Sequence, residues 1–92
     1  MDVHDAIRAF TRKLGAIKDE SGDHIYFYLS FEGSDYIVGK LSHSWTSNLN
    51  DTQINMLAHK LYLKKREFEQ FVSCKLTAPD MINLWQQRRQ NL

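Results

Sequence analysis

The sequence predicts an α+β domain in which a three-stranded antiparallel sheet is covered on one face by helices. Three observations carry this reading. Apolar residues near the N-terminus recur at helical spacing. Residues 24–31 form the most hydrophobic run of the chain, rich in aromatic and β-branched side chains and bounded by turn residues. Beyond residue 50 the apolar positions return to helical spacing.

Val3, Ile7, Phe10 and Leu14 give one stripe, so residues 2–14 read as a helix. Asp2 caps its first turn, Asp5 complements its positive end, and Gly15 stops it. Arg8, Thr11, Arg12 and Lys13 fall off the stripe and make a basic outer side. Residues 16–20 read as a short edge strand, and Ser21-Gly22-Asp23 as a turn. His24–Phe31 is the central strand, with Ile25, Phe27, Leu29 and Phe31 on one face and His24, Tyr26, Tyr28 and Ser30 on the other. Gly33-Ser34 suits a two-residue type II′ loop leading to a return strand over Tyr36–Ser42, ending at His43.

A polar connector over residues 44–50 carries Trp45. Asn50 and Gln53 resemble a capping box for a helix with Ile54, Leu57, Ala58 and Leu61 inward, broken at Tyr62-Leu63. Residues 65–73 form another helix with Phe68, Phe71 and Val72 inward. Thr77 caps the last one, which has Pro79 in its first turn, Asp80 three positions on, and Met81, Ile82 and Trp85 as its apolar side. The polar tail from Gln86 to Leu92 is expected to fray.

Ninety-two residues make a single domain, 1–92, read as a core over 2–63 with a C-terminal helical extension over 64–92. The net charge of +1 produces no strong global field, so nucleic-acid binding requires a local basic patch. One cysteine, Cys74, excludes an internal disulfide and suits a reducing, cytoplasmic setting; it reads as a small packed residue. No run approaches a membrane span, and the acidic N-terminus has no apolar signal region. No Cys pair or His-Glu-x-x-His motif is present, and His4 and His59 lack partners at ligand spacing, so both read as solvated and no metal or cofactor is expected.

Helix, three-stranded meander and covering helix make the double-stranded-RNA-binding-domain layout, here with two extra C-terminal helices. The same residues resemble the HicA toxin family. Gly22-Asp23-His24 occupies the place of that family's Gly-Ser-His turn, with Asp23 departing from the usual Ser. Val38-Gly39-Lys40-Leu41-Ser42-His43 resembles its second strand and the element after it, and Asn50–Leu63 its closing helix. The resemblance covers residues 2–63, and the remainder is similar to the tail of longer, archaeal-type members. It implies an mRNA-cleaving toxin that acts through one histidine, carried over to His24, and is neutralised by a HicB-like antitoxin protein.

Metal-independent RNA cleavage needs a base for the 2′-hydroxyl and an acid for the leaving oxygen, and imidazole serves both. His24, beside a turn at the mouth of a buried strand, is the leading candidate, against the plain reading of a turn histidine. A hairpin turning on Gly33-Ser34 pairs His24 with His43, as an acid–base pair or two metal ligands. An odd loop that puts Ile37 and Leu41 in the core phase sets His43 opposite Ile25, on the other face. The two registers stay open, as does a strand-end His43 bonded to backbone.

Lys60, Lys64, Lys65 and Arg66 form the densest basic cluster, and with Lys40, Arg8, Arg12 and Lys13 they are candidate phosphate contacts or simply a solvated face. Tyr26 and Tyr28 stack on bases if their face is open and are core if it is covered. Trp45 reads as an RNA or partner contact, or as a lid folded on the core.

Two other functions fit the residues. Residues 54–72 read as a helix-turn-helix for DNA, with Ala58 on the first helix, Leu61 and Leu63 at the turn, and Phe68 and Phe71 anchoring a second helix that presents Arg66, Glu69 and Gln70. Tyr62 there replaces the usual glycine. A non-catalytic domain that pairs a sheet edge with a partner protein is the other.

Overall fold

The computed structural model describes residues 1–91. Helix α1 spans Val3–Arg8 and continues as a π-helical turn over Ala9–Lys13. Asp2 caps it by accepting the His4 backbone N–H at 2.7 Å, and Gly15, at φ +75°, ends it. His4 is exposed, yet its Nδ1 also lies 3.1 Å from the Asp2 carboxylate, an acidic partner that helical spacing did not suggest. The wide turn, in which Leu14 N–H donates to the Ala9 carbonyl at 3.0 Å, buries both Ala9 and Phe10 and leaves Ile7 half-buried. A strict 3.6-residue count therefore misplaces Ile7 and overlooks Ala6 and Ala9.

Strands β1 (Ile17–Asp19), β2 (His24–Phe31) and β3 (Ser34–Ser42) form an antiparallel meander in that order. Phe31 pairs with Ser34, so the loop is Glu32-Gly33, with φ +51° and +81°. Positive φ at both positions is the type I′ pattern, not the type II′ loop expected on Gly33-Ser34. Between Phe27 and Tyr28 the pairing shifts by one residue, because Val38 is inserted as a β-bulge. Leu41 and Tyr36 face the helices on either side of the bulge, Val38 is fully buried, and Ile37 is turned outward and 43% exposed. Ile37 is thus not the core residue that simple alternation makes it.

The inner sheet face meets α1 through Phe10 and Phe27, whose rings stack with centroids 4.6 Å apart. Gly39, paired with Phe27, makes room for this contact: a Cβ there would lie 2.8 Å from Phe10 Cε1.

Helices α2 (Asp51–Lys60), α3 (Lys65–Val72) and α4 (Ala78–Gln90) complete the fold. The Asn50–Gln53 capping box forms reciprocally at 2.8 and 2.9 Å, and Thr77 Oγ1 accepts the Asp80 N–H at 3.2 Å. The C-terminal helices share the core of the sheet: Phe68, Phe71, Met81 and Trp85 are buried with Phe10, Phe27 and Leu57. Residues 64–91 are therefore part of the packed body, not an appendage. Among the described residues no helix is long and apolar enough to cross a membrane.

Three cations expected at the surface are used internally. Lys13 Nζ donates to the last carbonyls of α3, Phe71 O at 3.1 Å and Val72 O at 2.5 Å, which neutralises the negative helix end. Arg89 lies over the rings of Tyr36 and Trp85, 4.6 Å from each centroid. Arg88 holds both carboxylate oxygens of Glu67, at 2.7 and 2.9 Å, and the Tyr62 carbonyl at 2.8 Å. The expected fraying from Gln86 onward is corrected accordingly: helix α4 runs to Gln90, pinned by Arg88 and Arg89.

The Arg88 hydrogen bonds hold the Glu67 carboxyl at about 2, well below its ordinary 4.5, against the opposing effect of burial. A folded-state value below the unfolded one stabilises the native state above the unfolded value and is lost as pH falls. Stability should therefore drop between pH ~4.5 and ~2 by about 1–2 kcal/mol after solvent screening of this partly exposed pair. Thermal melts of Glu67→Gln should lack that component; an unchanged acid profile would show that the pair contributes nothing to stability.

Candidate nucleic-acid interface

The outer sheet face is open. Its cross-strand rows are His24–Ser42, Asp19–Tyr26–Lys40 and Ile17–Tyr28–Ile37, and Ile17 is 68% exposed. Tyr26 and Tyr28 are half-buried side by side, ring centroids 6.3 Å apart. His24 meets Tyr26 edge-on at 6.2 Å, and Lys40 Nζ sits 5.9 Å from the Tyr26 ring centroid. Aromatic faces flanked by cations suit stacking of nucleic-acid bases.

At one end of this face a cleft of about 150 Å³ is lined by His24, Lys40, Ser42, Trp45, Met56 and Lys60. Four separate segments supply these residues: the mouth of β2, the end of β3, the connector, and the outer side of α2. Among the described residues the His24 imidazole makes no hydrogen bond and the Lys40 and Lys60 ammonium groups make no ion pair. Trp45 is half-buried against the core, as the lid expectation has it, and it also walls the cleft.

The loop before His24 is tied down from both sides. Asp19 Oδ1 accepts from the Ser21 backbone N–H at 2.9 Å and from its hydroxyl at 2.6 Å, which holds the Asp19 carboxyl below its usual value. His43 Nε2 lies 3.0 Å from the Gly22 carbonyl. Because a carbonyl only accepts, Nε2 carries the proton in this contact. The bulge sets His24 opposite Ser42, leaving His43 in the turn beyond the strand. Neither register weighed from the sequence occurs: His43 is not paired across from His24, nor from Ile25. It holds the Gly22 loop and does not line the cleft.

The basic cluster is divided. Lys60 lines the cleft, Lys64 and Arg66 are exposed on the next turn and on α3, and Lys65 is bound to Asp51 at 3.1 Å and lies 3.9 Å from Glu69. The Asp51 contact raises the Lys65 pKa. On α1, Arg8 is paired with Asp5 and Lys13 with α3, which leaves Arg12 of the expected basic outer side. Cys74 is exposed at φ +70°, not packed inside as its residue type suggested.

Charge is polarised along the open face. A second depression is lined by Asp19, Glu20 and Asp35 against one cation, Lys18, so its net lining charge is negative and anions are favoured instead at the cleft of Lys40 and Lys60. Ser42 and Met56 were missed in the sequence. Met56 and Lys60 lie four apart on α2, off its apolar stripe, and that spacing was a readable sign. Ser42 had no such sign, since the bulge alone places it across from His24.

Among the described residues, the fold and cleft together define an α+β domain with a three-stranded antiparallel sheet, four helices and a cationic, aromatic-lined end. No family model matches the chain, and neither a curated protein nor a solved structure does so.

Proposed function

We propose that the chain binds RNA on the open sheet face and cleaves it by metal-independent transesterification, as a HicA-like mRNA interferase with a double-stranded-RNA-binding-like fold and a HicB-like antitoxin as protein partner. The observation that carries the reading is the convergence of His24, Lys40, Lys60 and Trp45 on one cleft beside the Tyr26 ring. His24 takes the proton of the 2′-hydroxyl, whose oxygen forms a bond to phosphorus as the bond to the 5′-oxygen breaks. The leaving oxygen takes a proton from the imidazolium or from water, and the products are a 2′,3′-cyclic phosphate and a 5′-hydroxyl. Lys40 and Lys60 balance the charge on the phosphate, and Tyr26 and Trp45 offer ring faces to flanking bases.

Binding is tested separately from cleavage. Lys40→Ala and Lys60→Ala should each weaken binding of a single-stranded mRNA fragment, and each should lower the slope of log affinity against log salt by roughly one phosphate contact. Fluorescence anisotropy across a salt series measures both. Slopes equal to wild type in both variants would remove the cleft as the RNA site.

A further inference from the structure

Apart from Met56 and Lys60 on the cleft side of α2, the RNA reading makes no use of α2, the four-residue link Leu61–Lys64 and α3. We propose that these form a helix-turn-helix that seats α3 in the major groove of double-stranded DNA, with Arg66 and Gln70 reading base edges and Lys64 contacting a phosphate.

The turn carries one backbone feature of the motif. Tyr62 adopts φ +57°, the left-handed conformation for which glycine is the usual choice at such turns. The strained residue is held by its neighbours: Leu63 N–H donates to the Ala58 carbonyl at 2.9 Å, Tyr62 N–H to His59 O at 3.1 Å, and the Tyr62 carbonyl accepts from Arg88. Ala58, with no exposed surface, lets the two helices approach closely, and Leu57, Leu61, Leu63, Phe68 and Phe71 close the core between them.

The orientation of α3 about its own axis is also settled. Phe68 and Phe71 point inward, while Lys65 is tied to Asp51 on α2 and Glu67 to Arg88 on α4, one on each flank. The remaining side, carrying Arg66, Glu69, Gln70 and Ser73, lies opposite the phenylalanines and faces away from the body. Among the described residues, the side chains of Lys64, Arg66 and Gln70 make no hydrogen bond or ion pair. Arg and Gln four apart on one helix face are suited to bidentate contacts with guanine and adenine edges. The B-form major groove admits a helix, whereas the deep, narrow A-form groove of duplex RNA does not, so the chemistry favours DNA.

The test uses the full chain and a pool of random duplex DNA about 30 base pairs long, roughly three helical turns. Repeated selection should enrich a consensus. Affinity for that consensus should fall about ten- to hundredfold in Arg66→Ala and in Gln70→Ala, and stay within about twofold in Lys40→Ala. Arg66 is exposed and Gln70 half-buried, neither side chain has a partner among the described residues, and unchanged thermal melts confirm folding. Failure to enrich a consensus, affinity insensitive to both α3 variants, or loss in Lys40→Ala instead would overturn the proposal. Because RNA binding is read through Lys40 and Lys60, either proposal can fail while the other stands.

Discussion

His24→Ala is expected to slow RNA cleavage by about 10²–10⁴-fold, the contribution of a positioned acid–base group. Single-turnover cleavage of a labelled mRNA fragment, with EDTA present, measures it. The imidazole lines the cleft with Lys40 and Lys60 and touches the Tyr26 ring edge-on, so under the proposed mechanism its removal deletes the proton acceptor at the cost of one surface ring contact. Thermal stability should remain within about ±0.5 kcal/mol, as for most surface substitutions. His43→Ala is a different matter. Its ring holds the Gly22 carbonyl and not the substrate, so cleavage should weaken through a loosened loop and persist. Equal losses in the two variants would make the histidines a functional pair. Wild-type cleavage by His24→Ala would remove the nuclease proposal and leave RNA binding alone.

Phe10→Ala is expected to destabilise the domain by about 3–5 kcal/mol, the usual cost of deleting a buried aromatic ring. Its ring stacks on Phe27, tilts against Phe68 at 5.8 Å, and so joins sheet, α1 and α3 at one point. Gly39→Ala should cost about 1–3 kcal/mol for the opposite reason, overfilling the same space. The added methyl would sit 2.8 Å from Phe10 Cε1 and Cζ and 3.1 Å from Phe27 Cδ2, and the trapped ring has nowhere to retreat. At roughly 4–8 °C per kcal/mol for a domain of this size, both changes are readily seen in a thermal melt. The two substitutions should be coupled, with Gly39→Ala costing clearly less in the Phe10→Ala background. Additive losses would mean that Gly39 is required for some other reason than the Phe10 ring.

Local signals were reliable where the physics is local. The Asn50–Gln53 and Thr77–Asp80 caps, the Gly15 stop and the aromatic strand all formed as their residues indicate. Each depends on side chains within a few positions of the backbone that they satisfy. His24, Lys40, Lys60, Tyr26 and Trp45 were also legible as candidates, because their residue types announce chemistry. The meeting of His24, Lys40, Lys60 and Trp45 in one cleft beside Tyr26 was not legible, since it depends on where β3 and α2 lie relative to β2. Lys13, Arg88 and Arg89 show the same limit. As sequence they are surface cations, and in the fold they clamp a helix end, a carboxylate and two aromatic rings.

What the sequence alone determined is the set of elements, their order, and the inner and outer faces of the central strand, because periodicity and capping are written in neighbouring residues. What only the tertiary structure decided is the phase of β3 and everything that hangs on it. Inserting Val38 as an unpaired residue lets Val38 and Leu41 both be buried, and the gain from burying both offsets the disrupted ladder. The Glu32-Gly33 loop register leaves Ile37 outward, and the insertion beyond it turns Leu41 inward, sets Ser42 opposite His24, and sends His43 to the Gly22 carbonyl. Side-chain direction along a strand has a period of two, so a single added residue redirects every side chain beyond it, and only the packing of distant helices selects where that residue goes.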